Sequence, residues 1–110
     1  MGPCGVIMSA LQPFSPHYGS NQVVTPAAAS ATITISGSDK NVRVTNTGAN
    51  KGYFRVFSIT DVPGGSAATV ADCCVAAGMS TVVTKADGQD RLSHISAAGT
   101  TFEVITGEGW

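Results

Sequence analysis

A chain of 110 residues is long enough for one globular domain with its own hydrophobic core. Hydrophobic residues make up 43% of it and charged residues 12%, about half the usual charged share, and this balance excludes intrinsic disorder. The net charge is −1 and the six Lys and Arg residues are scattered, which argues against nucleic-acid binding through clustered cations. Because so few charges protect the surface against association, we expect part of it to be covered by a partner or by copies of this chain.

Residues 1–29 differ from the rest because four of the five prolines fall there. Proline fixes φ and removes a backbone donor, so this segment can be neither a continuous helix nor a central strand. It nevertheless carries large apolar side chains, among them Ile7, Leu11, Phe14 and Tyr18. We therefore expect an extended N-terminal arm that lies on a surface, its own or a neighbour's, and contacts it through these four side chains.

Residues 30–110 are predicted to form a β-rich body, because apolar and polar residues alternate in several short segments. β-Branched and aromatic residues fill these segments, and Gly-, Asn- and Asp-rich turns separate them. The predicted strands are residues 31–36, 42–45, 53–59, 70–76, 81–85, 92–96 and 101–106. This pattern is typical of an all-β fold, a small antiparallel β-sandwich or barrel of the jelly-roll or immunoglobulin type.

The stretch VRVTNTGANKGYFRV, residues 42–56, contains two alternating segments joined by a Gly- and Asn-rich loop. We interpret it as a hairpin in which the chain reverses between two strands. Arg43 and Arg55 occupy alternate positions and are expected to face outward, where they are candidate partner contacts. Folding could bring them together with Lys51 across this hairpin.

The cysteines and histidines form no catalytic motif. Cys4, Cys73 and Cys74 are an odd set with one adjacent pair, which is not a disulfide framework and fits folding in a reducing cytoplasm. Since strand side chains alternate, one thiol of the pair should face the core and the other outward. His17 lies in the arm and His94 in a predicted strand, without a nucleophile elbow, so we expect His94 to be a hydrogen-bonded strand residue.

The remaining polar residues lack the spacing of known sites. The carboxylates lack the pattern of a calcium loop, the Cys and His residues lack zinc-site spacing, and no phosphate-binding loop occurs. No apolar run reaches membrane-spanning length. We therefore expect no catalytic residue, cofactor, metal, nucleic acid or membrane partner. Trp110, the only tryptophan, is expected to pack on the body or on a neighbouring subunit.

Three segments, VRVTNTGANKGYFRVFS, ADCCVAAGMSTVV and LSHISAAGTTFEVITGEGW, follow one another in an order that resembles a class of small tailed-bacteriophage virion proteins. That class has a strand ending in V-x-N-x-G, an F-x-R-F/V strand, an A-x-x-C/M-x-x-A/P-A-G corner, a V strand and a G-T-x-x-x-x-x-T-x-G-E-G tail. The corresponding residues here are Val44–Gly48, Phe54–Phe57, Ala71–Gly78 and Gly99–Gly109.

The resemblance covers about residues 40–110 and leaves residues 1–30 outside. Proteins of this class are similar in size and fold to capsid decoration (cement) proteins. The resemblance implies a non-enzymatic protein, folded in the host cytoplasm, that binds the major capsid protein on the assembled capsid and stabilises the head. It also implies a homo-oligomer, with a trimer favoured. Asp72 and the Pro-rich arm depart from the compact form of the class, and the arm leaves open where on the particle this chain would sit.

Two other functions fit the same fold. The chain could be a tail, neck or fibre-associated phage protein, or a receptor- or glycan-binding module, with Tyr18, Tyr53 or Trp110 marking a binding groove. An enzyme or a small-molecule binder would need a site built from residues that we interpret as structural. The predicted partner-binding residues are Ile7, Leu11, Phe14, Tyr18, Arg43, Arg55 and Trp110.

Overall fold

Two antiparallel β-sheets form an all-β globule. A computed structural model describes residues 14–86 and 88–108, and within these residues it contains strands and turns but no helix. The strands are β1 (Ser15–Pro16), β2 (Gln22–Val24), β3 (Ala31–Thr34), β4 (Asn41–Asn46), β5 (Gly52–Phe57), β6 (Cys73–Val75), β7 (Ser80–Thr84), β8 (Arg91–Ile95) and β9 (Phe102–Glu108). The predicted all-β fold is confirmed.

The strand order within the two sheets is that of a jelly roll. Sheet 1 has the order β1-β9-β4-β7, and β2 also pairs with β9. Sheet 2 has the order β3-β8-β5-β6. All pairs are antiparallel, and from β2 to β9 consecutive strands lie in opposite sheets, except β5 and β6, which are neighbours in sheet 2. This is the arrangement of two Greek keys in a jelly roll. A sandwich of this kind leaves loops at its two ends and solvent on its two outer faces.

The core lies between the inner faces of the two sheets. Side chains that alternate along each strand point inward and pack there, as the period of two in the sequence requires. The buried cluster consists of Ile35, Val42, Val44, Phe54, Val75, Leu92, Phe102 and Val104. Each fully buried side chain of this size contributes about 1.5–3 kcal/mol to folding.

The predicted hairpin at residues 42–56 is wrong. Strand β4 pairs with β7 and β9 in sheet 1, whereas β5 pairs with β6 and β8 in sheet 2. The loop at residues 47–51 therefore crosses from one sheet to the other, and Arg43 and Arg55 lie on opposite outer faces of the sandwich. A hairpin and a crossing loop bury the same alternate residues, so the hydrophobic pattern alone does not distinguish them.

The described part of the predicted arm contains two short strands at one edge of sheet 1. Strands β1 and β2 pair with β9, with Ser15 opposite Glu108 and Gln22 opposite Val104. At Gly107 a Cβ atom would lie 2.9 Å from the Pro16 Cα and 3.0 Å from the Phe14 ring, so this close approach requires glycine. Residues 1–13 lie outside the described residues.

Asn46, at the end of β4, is completely buried and joins three loops. Its Nδ2 donates to the carbonyl oxygens of Asn50 (2.7 Å) and Val75 (2.9 Å). Its Oδ1 accepts from the Gly48 N–H (3.0 Å) and the Thr100 hydroxyl (2.7 Å). The two donors and the acceptor oxygen of this amide are thus all used, as a buried amide requires.

The cysteine pair alternates as predicted. In β6 the side chain of Cys73 is half-buried and packs against the core, while Cys74 is exposed, and both are free thiols. Burial raises the pKa of the Cys73 thiol, and the nearby Cys74 and Asp72 raise it further. A thiol held in its neutral form is a poor nucleophile. Cys4 lies outside the described residues.

His94 lies in β8, opposite Phe54 of β5, and its side chain is 4% exposed. Its Nδ1 is buried and has no hydrogen-bond partner among residues 14–86 and 88–108, so the expected hydrogen bond is not found at this atom. Burial lowers the pKa of His94, because the charged imidazolium would lose its hydration.

Replacing Asn46 with alanine should lower the free energy of unfolding by on the order of 3 kcal/mol, because two buried carbonyl groups and two donors lose their partner. Asn46→Asp should be worse, since a carboxylate would face the carbonyls of Asn50 and Val75. Urea unfolding measures the change, and the exposed Asn21→Ala is the matched control. Equal stability of the Asn46 and Asn21 variants would contradict this role.

His94 should make stability depend on pH. The unfolded chain binds a proton at His94 near pH 6.5, whereas the folded chain binds it only at lower pH. Stability should therefore be full above about pH 6.5 and fall as the pH drops below it. Urea unfolding from pH 8 to 5 measures this slope, which His94→Leu should remove and His17→Gln should retain. An unchanged slope in His94→Leu would refute the assignment.

Candidate partner-binding surfaces

Phe14 and Arg43 meet on the outer face of sheet 1. The guanidinium carbon of Arg43 lies 5.1 Å from the centre of the Phe14 ring, a cation–π contact. Arg43 points outward because its neighbours Val42 and Val44 point into the core, and it lies between Ile105 and Val82 in register. Its Nε is buried and has no hydrogen-bond partner among the described residues. The structure thus brings two predicted partner-binding residues together, with the Arg43 charge directed at an aromatic face.

Arg55 lies on the opposite outer face and is engaged within the chain. Its Nε and Nη2 donate to the two carboxylate oxygens of Asp72 (2.9 and 2.8 Å), and its Nη1 donates to Ser66 Oγ (2.7 Å). Asp72 also accepts from the Thr69 N–H (2.7 Å). The Arg55 hydrogen bonds are the main reason that the pKa of Asp72 is lowered, and partial burial opposes them. This bidentate pair attaches the loop at residues 58–72 to sheet 2.

Tyr18 lies in the turn between β1 and β2 and is 86% exposed. Beside it, His17 Nδ1 lies 2.8 Å from Asp39 Oδ2, and the Thr106 hydroxyl donates to the same oxygen (2.6 Å). Burial alone would raise the pKa of Asp39, but hydrogen bonds from Thr106, His17 and Ser36 outweigh it and lower the pKa. This corner of the molecule therefore combines a free aromatic ring with a fixed carboxylate.

The predicted partner-binding residues do not form one surface. Phe14 and Arg43 are in contact, Tyr18 lies at an end of the sandwich, and Arg55 lies across it on sheet 2. Ile7, Leu11 and Trp110 lie outside the described residues. The roles of all seven residues as partner contacts stay predictions.

A surface that the sequence reasoning missed is the end of the sandwich around Asn46. Four loops meet there, residues 25–30, 47–51, 76–79 and 96–101. Hydrogen bonds connect them: Ser96 N–H donates to Ala27 O (2.9 Å), Asn50 Nδ2 to Gly99 O (2.8 Å) and Gly78 N–H to Asn46 O (2.9 Å). We call this surface the alanine-rich end.

The alanine-rich end exposes small apolar groups and almost no charge. Met79 is 57% exposed, and Lys51 is the one charged residue in the four loops. The exposed alanines of these loops are Ala27, Ala28, Ala29, Ala49, Ala76, Ala77, Ala97 and Ala98. The opposite end of the described structure carries most of the charges, namely Asp39, Lys40, Asp61, Lys85, Asp90, Arg91 and Glu108.

The local signal for this surface was present in the sequence. The segments AGMS and AAGT each indicate a turn, and PAAAS is an alanine run too short to form a helix. Only the jelly-roll strand order brings them to the same end. Neither composition nor periodicity gives that order.

The described residues provide no ready metal site. No group of three or more His, Cys, Asp or Glu side chains in residues 14–86 and 88–108 is arranged to hold an ion. In the same residues, no helix is long and apolar enough to cross a membrane.

Comparisons with known proteins support the fold. The sequence matches no family model and no curated protein. Among solved structures, the crystal structure of PirA is similar, with a TM-score of 0.54 and 13% sequence identity. The alignment covers 83% of this chain and 95% of PirA. At this identity the likeness concerns the fold alone.

Arg55→Lys should keep the charge but lose the bidentate hydrogen bonds to Asp72, so the loop at residues 58–72 should open more often. Hydrogen exchange followed by mass spectrometry should show faster exchange in this loop. Arg43→Lys is the matched control, because Arg43 lies on the other sheet and should leave the loop unchanged. Unaltered exchange in Arg55→Lys would mean that the ion pair does not hold the loop.

Proposed function

We propose that this chain is a non-enzymatic virion protein of a tailed bacteriophage, which binds the assembled capsid as a decoration protein and stabilises the head. The observation that carries the proposal is the alanine-rich end, an exposed and nearly uncharged surface on a rigid β-sandwich. Jelly rolls serve as viral capsid and lectin domains, and this analogy of fold is consistent with a structural role.

The alanine-rich end is suited to docking on a rigid protein surface. Alanine and glycine let two backbones approach closely, and the hydrogen bonds around Asn46 hold the loops before binding. A surface ordered in advance loses little conformational entropy on binding. Exposed charges concentrate at the opposite end, which would face solvent in the bound state.

Stabilisation of the head would follow from mass action. A protein that binds the assembled shell of the major capsid protein, but not its free subunits, shifts the equilibrium toward the shell. A regular shell offers many copies of one binding site. The low charge of this chain would then be explained, because a large fraction of the chain's surface would be covered when it is bound. In this proposal the protein folds in the host cytoplasm and ends on the capsid surface.

One observation favours the second candidate function, a tail- or fibre-associated protein or a receptor- or glycan-binding module. Tyr18 is 86% exposed, and Asp39 and His17 lie beside it. An aromatic face next to fixed polar groups is suited to stacking and hydrogen bonding with a sugar. In this alternative, Tyr18→Ala would abolish binding and substitutions at the alanine-rich end would not.

Ala98→Lys and Ala77→Asp should each reduce binding to purified particles about tenfold or more, because a charge would be desolvated at the docking surface. Thr60→Lys, exposed in the loop at residues 58–72, is the matched control and should bind normally. Co-sedimentation with particles of the phage that encodes the chain measures binding.

Mass spectrometry of the same particles gives the copy number relative to the major capsid protein. A simple ratio supports a decoration protein, and a trace amount supports the tail or fibre alternative. Complete absence from particles would overturn both virion functions.

A further inference from the structure

Strand β7 is an edge of sheet 1 without the usual protection against pairing. It has β4 on one side, and no second neighbour among the described strands. Its sequence, Ser-Thr-Val-Val-Thr, contains no charge and no proline, and its register with β4 runs through five consecutive residues without a bulge. Natural edge strands normally carry lysine, proline or a bulge, or are covered.

The other edge strands are each shortened or capped. β1 has two residues and contains Pro16, and β2 and β6 have three residues each. At β3 the side chain of Gln22 donates to the Thr34 carbonyl (2.6 Å), and at β6 the side chain of Asn46 donates to the Val75 carbonyl (2.9 Å). β7 is the longest edge strand in the described structure and has no such cap.

The hydrogen bonds to β4 show which backbone groups of β7 remain free. The Asn46 N–H donates to Met79 O, and the Lys85 N–H donates to Lys40 O, each at 2.8 Å. In an antiparallel pair such bonded residues alternate with non-bonded ones. Residues 79, 81, 83 and 85 therefore point their backbone groups toward β4. The N–H and C=O groups of Ser80, Val82 and Thr84 point away from the sheet.

This set of free groups is symmetric about Val82. Two copies of β7 can pair antiparallel around a two-fold axis at Val82, so that Val82 faces its own copy and Ser80 faces Thr84 of the other copy. Each of these pairs exchanges two hydrogen bonds, and every free edge group then has a partner. The cross-strand contacts are between uncharged, mostly β-branched side chains, which favours the pairing.

We propose that β7 is a homodimer interface, in which two chains join their first sheets edge to edge around Val82. The partner at this edge is a second copy of the chain, because the free backbone groups of β7 are complementary to those of β7 itself. A contact between two identical surfaces is isologous and is complete at two copies. The interface is small, so the dimer should dissociate on dilution. The trimer expected from the sequence would need a different surface. This inference does not depend on the virion function.

Sedimentation velocity of the full chain over a dilution series tests the dimer. The wild-type protein should approach twice the 11.1 kDa of one chain at high concentration. Val82→Lys should stay monomeric, because two like charges would face each other across the axis. Val23→Lys, on the same outer face but at the other edge, is the matched control and should dimerise normally.

Val82→Pro should also be monomeric, and because the Val82 N–H points away from β4, proline removes no hydrogen bond of the fold. Circular dichroism confirms that each variant is folded. A wild-type chain that is monomeric up to its solubility limit, or trimeric, would overturn the proposal. So would a dimer that survives both Val82→Lys and Val82→Pro.

A cysteine at position 82 tests the register. In a chain with Cys4→Ser, Cys73→Ala and Cys74→Ser, Val82→Cys should form a disulfide-linked dimer under mild oxidation. The expected Cα separation of about 5.5 Å is within the range of disulfides. Thr84→Cys should not crosslink, because Thr84 faces Ser80 and not its own copy. Efficient crosslinking at position 84 instead of 82 would refute this register.

Discussion

The buried amide of Asn46 is the interaction on which the arrangement of the loops depends. In a jelly roll most consecutive strands lie in opposite sheets, so most connections must cross the open ends of the sandwich and leave the hydrogen-bonded ladders. Backbone groups at such crossings lose their sheet partners, and burying them unpaired costs about 1–3 kcal/mol each. Asn46 supplies both donors and acceptors at one crossing, joining Gly48, Val75 and Thr100. The alanine-rich end can therefore be built from small residues, because one polar side chain in the interior supplies the order that larger surface side chains would otherwise provide.

Several charged side chains hold loops in place, whereas their positions in the sequence indicate exposed strand faces and turns. Arg55 and Asp72 attach the longest described loop to sheet 2, and Asp39 holds the turn at His17 against Thr106. With so few charges in the chain, each pair used internally leaves less charge on the surface. Among the described residues, the alanine-rich end carries only the charge of Lys51, and strand β7 carries none. Both are therefore regions where association is expected on physical grounds.

The fold class and the strands of the body could be predicted because alternation has a local cause, the two faces of a pleated strand. Which strand belongs to which sheet could not be predicted in this way. Val42, Val44 and Phe54 point inward whether β4 and β5 form a hairpin or lie in opposite sheets, so their pattern is the same in both arrangements. Whether the predicted partner-binding residues lie on one surface depends on which strands share a sheet. A hairpin would make Arg43 and Arg55 neighbours, but the two arginines lie on opposite outer faces of the sandwich. The sequence leaves open whether Phe14 lies on its own chain or on a neighbour, and in the structure its ring lies beside Gly107 and Arg43. The alanine-rich end was hidden for the same reason, since its loops become neighbours only through long-range pairing.

The direction of the strands connects the two proposed surfaces. β7 begins at the alanine-rich end and ends near the charged end, and in an antiparallel pair the second copy runs the opposite way. The two alanine-rich ends of a β7 dimer therefore point in opposite directions, and a single flat surface can contact only one of them. A dimer bound to a shell would present its second alanine-rich end outward, where it would be free to contact another particle or a further component. If the chain instead binds as a monomer, docking must compete with dimerisation, and low concentration would favour docking. If both proposals hold, the geometry of β7 would determine how many chains a docking site recruits, independently of how tightly the alanine-rich end binds.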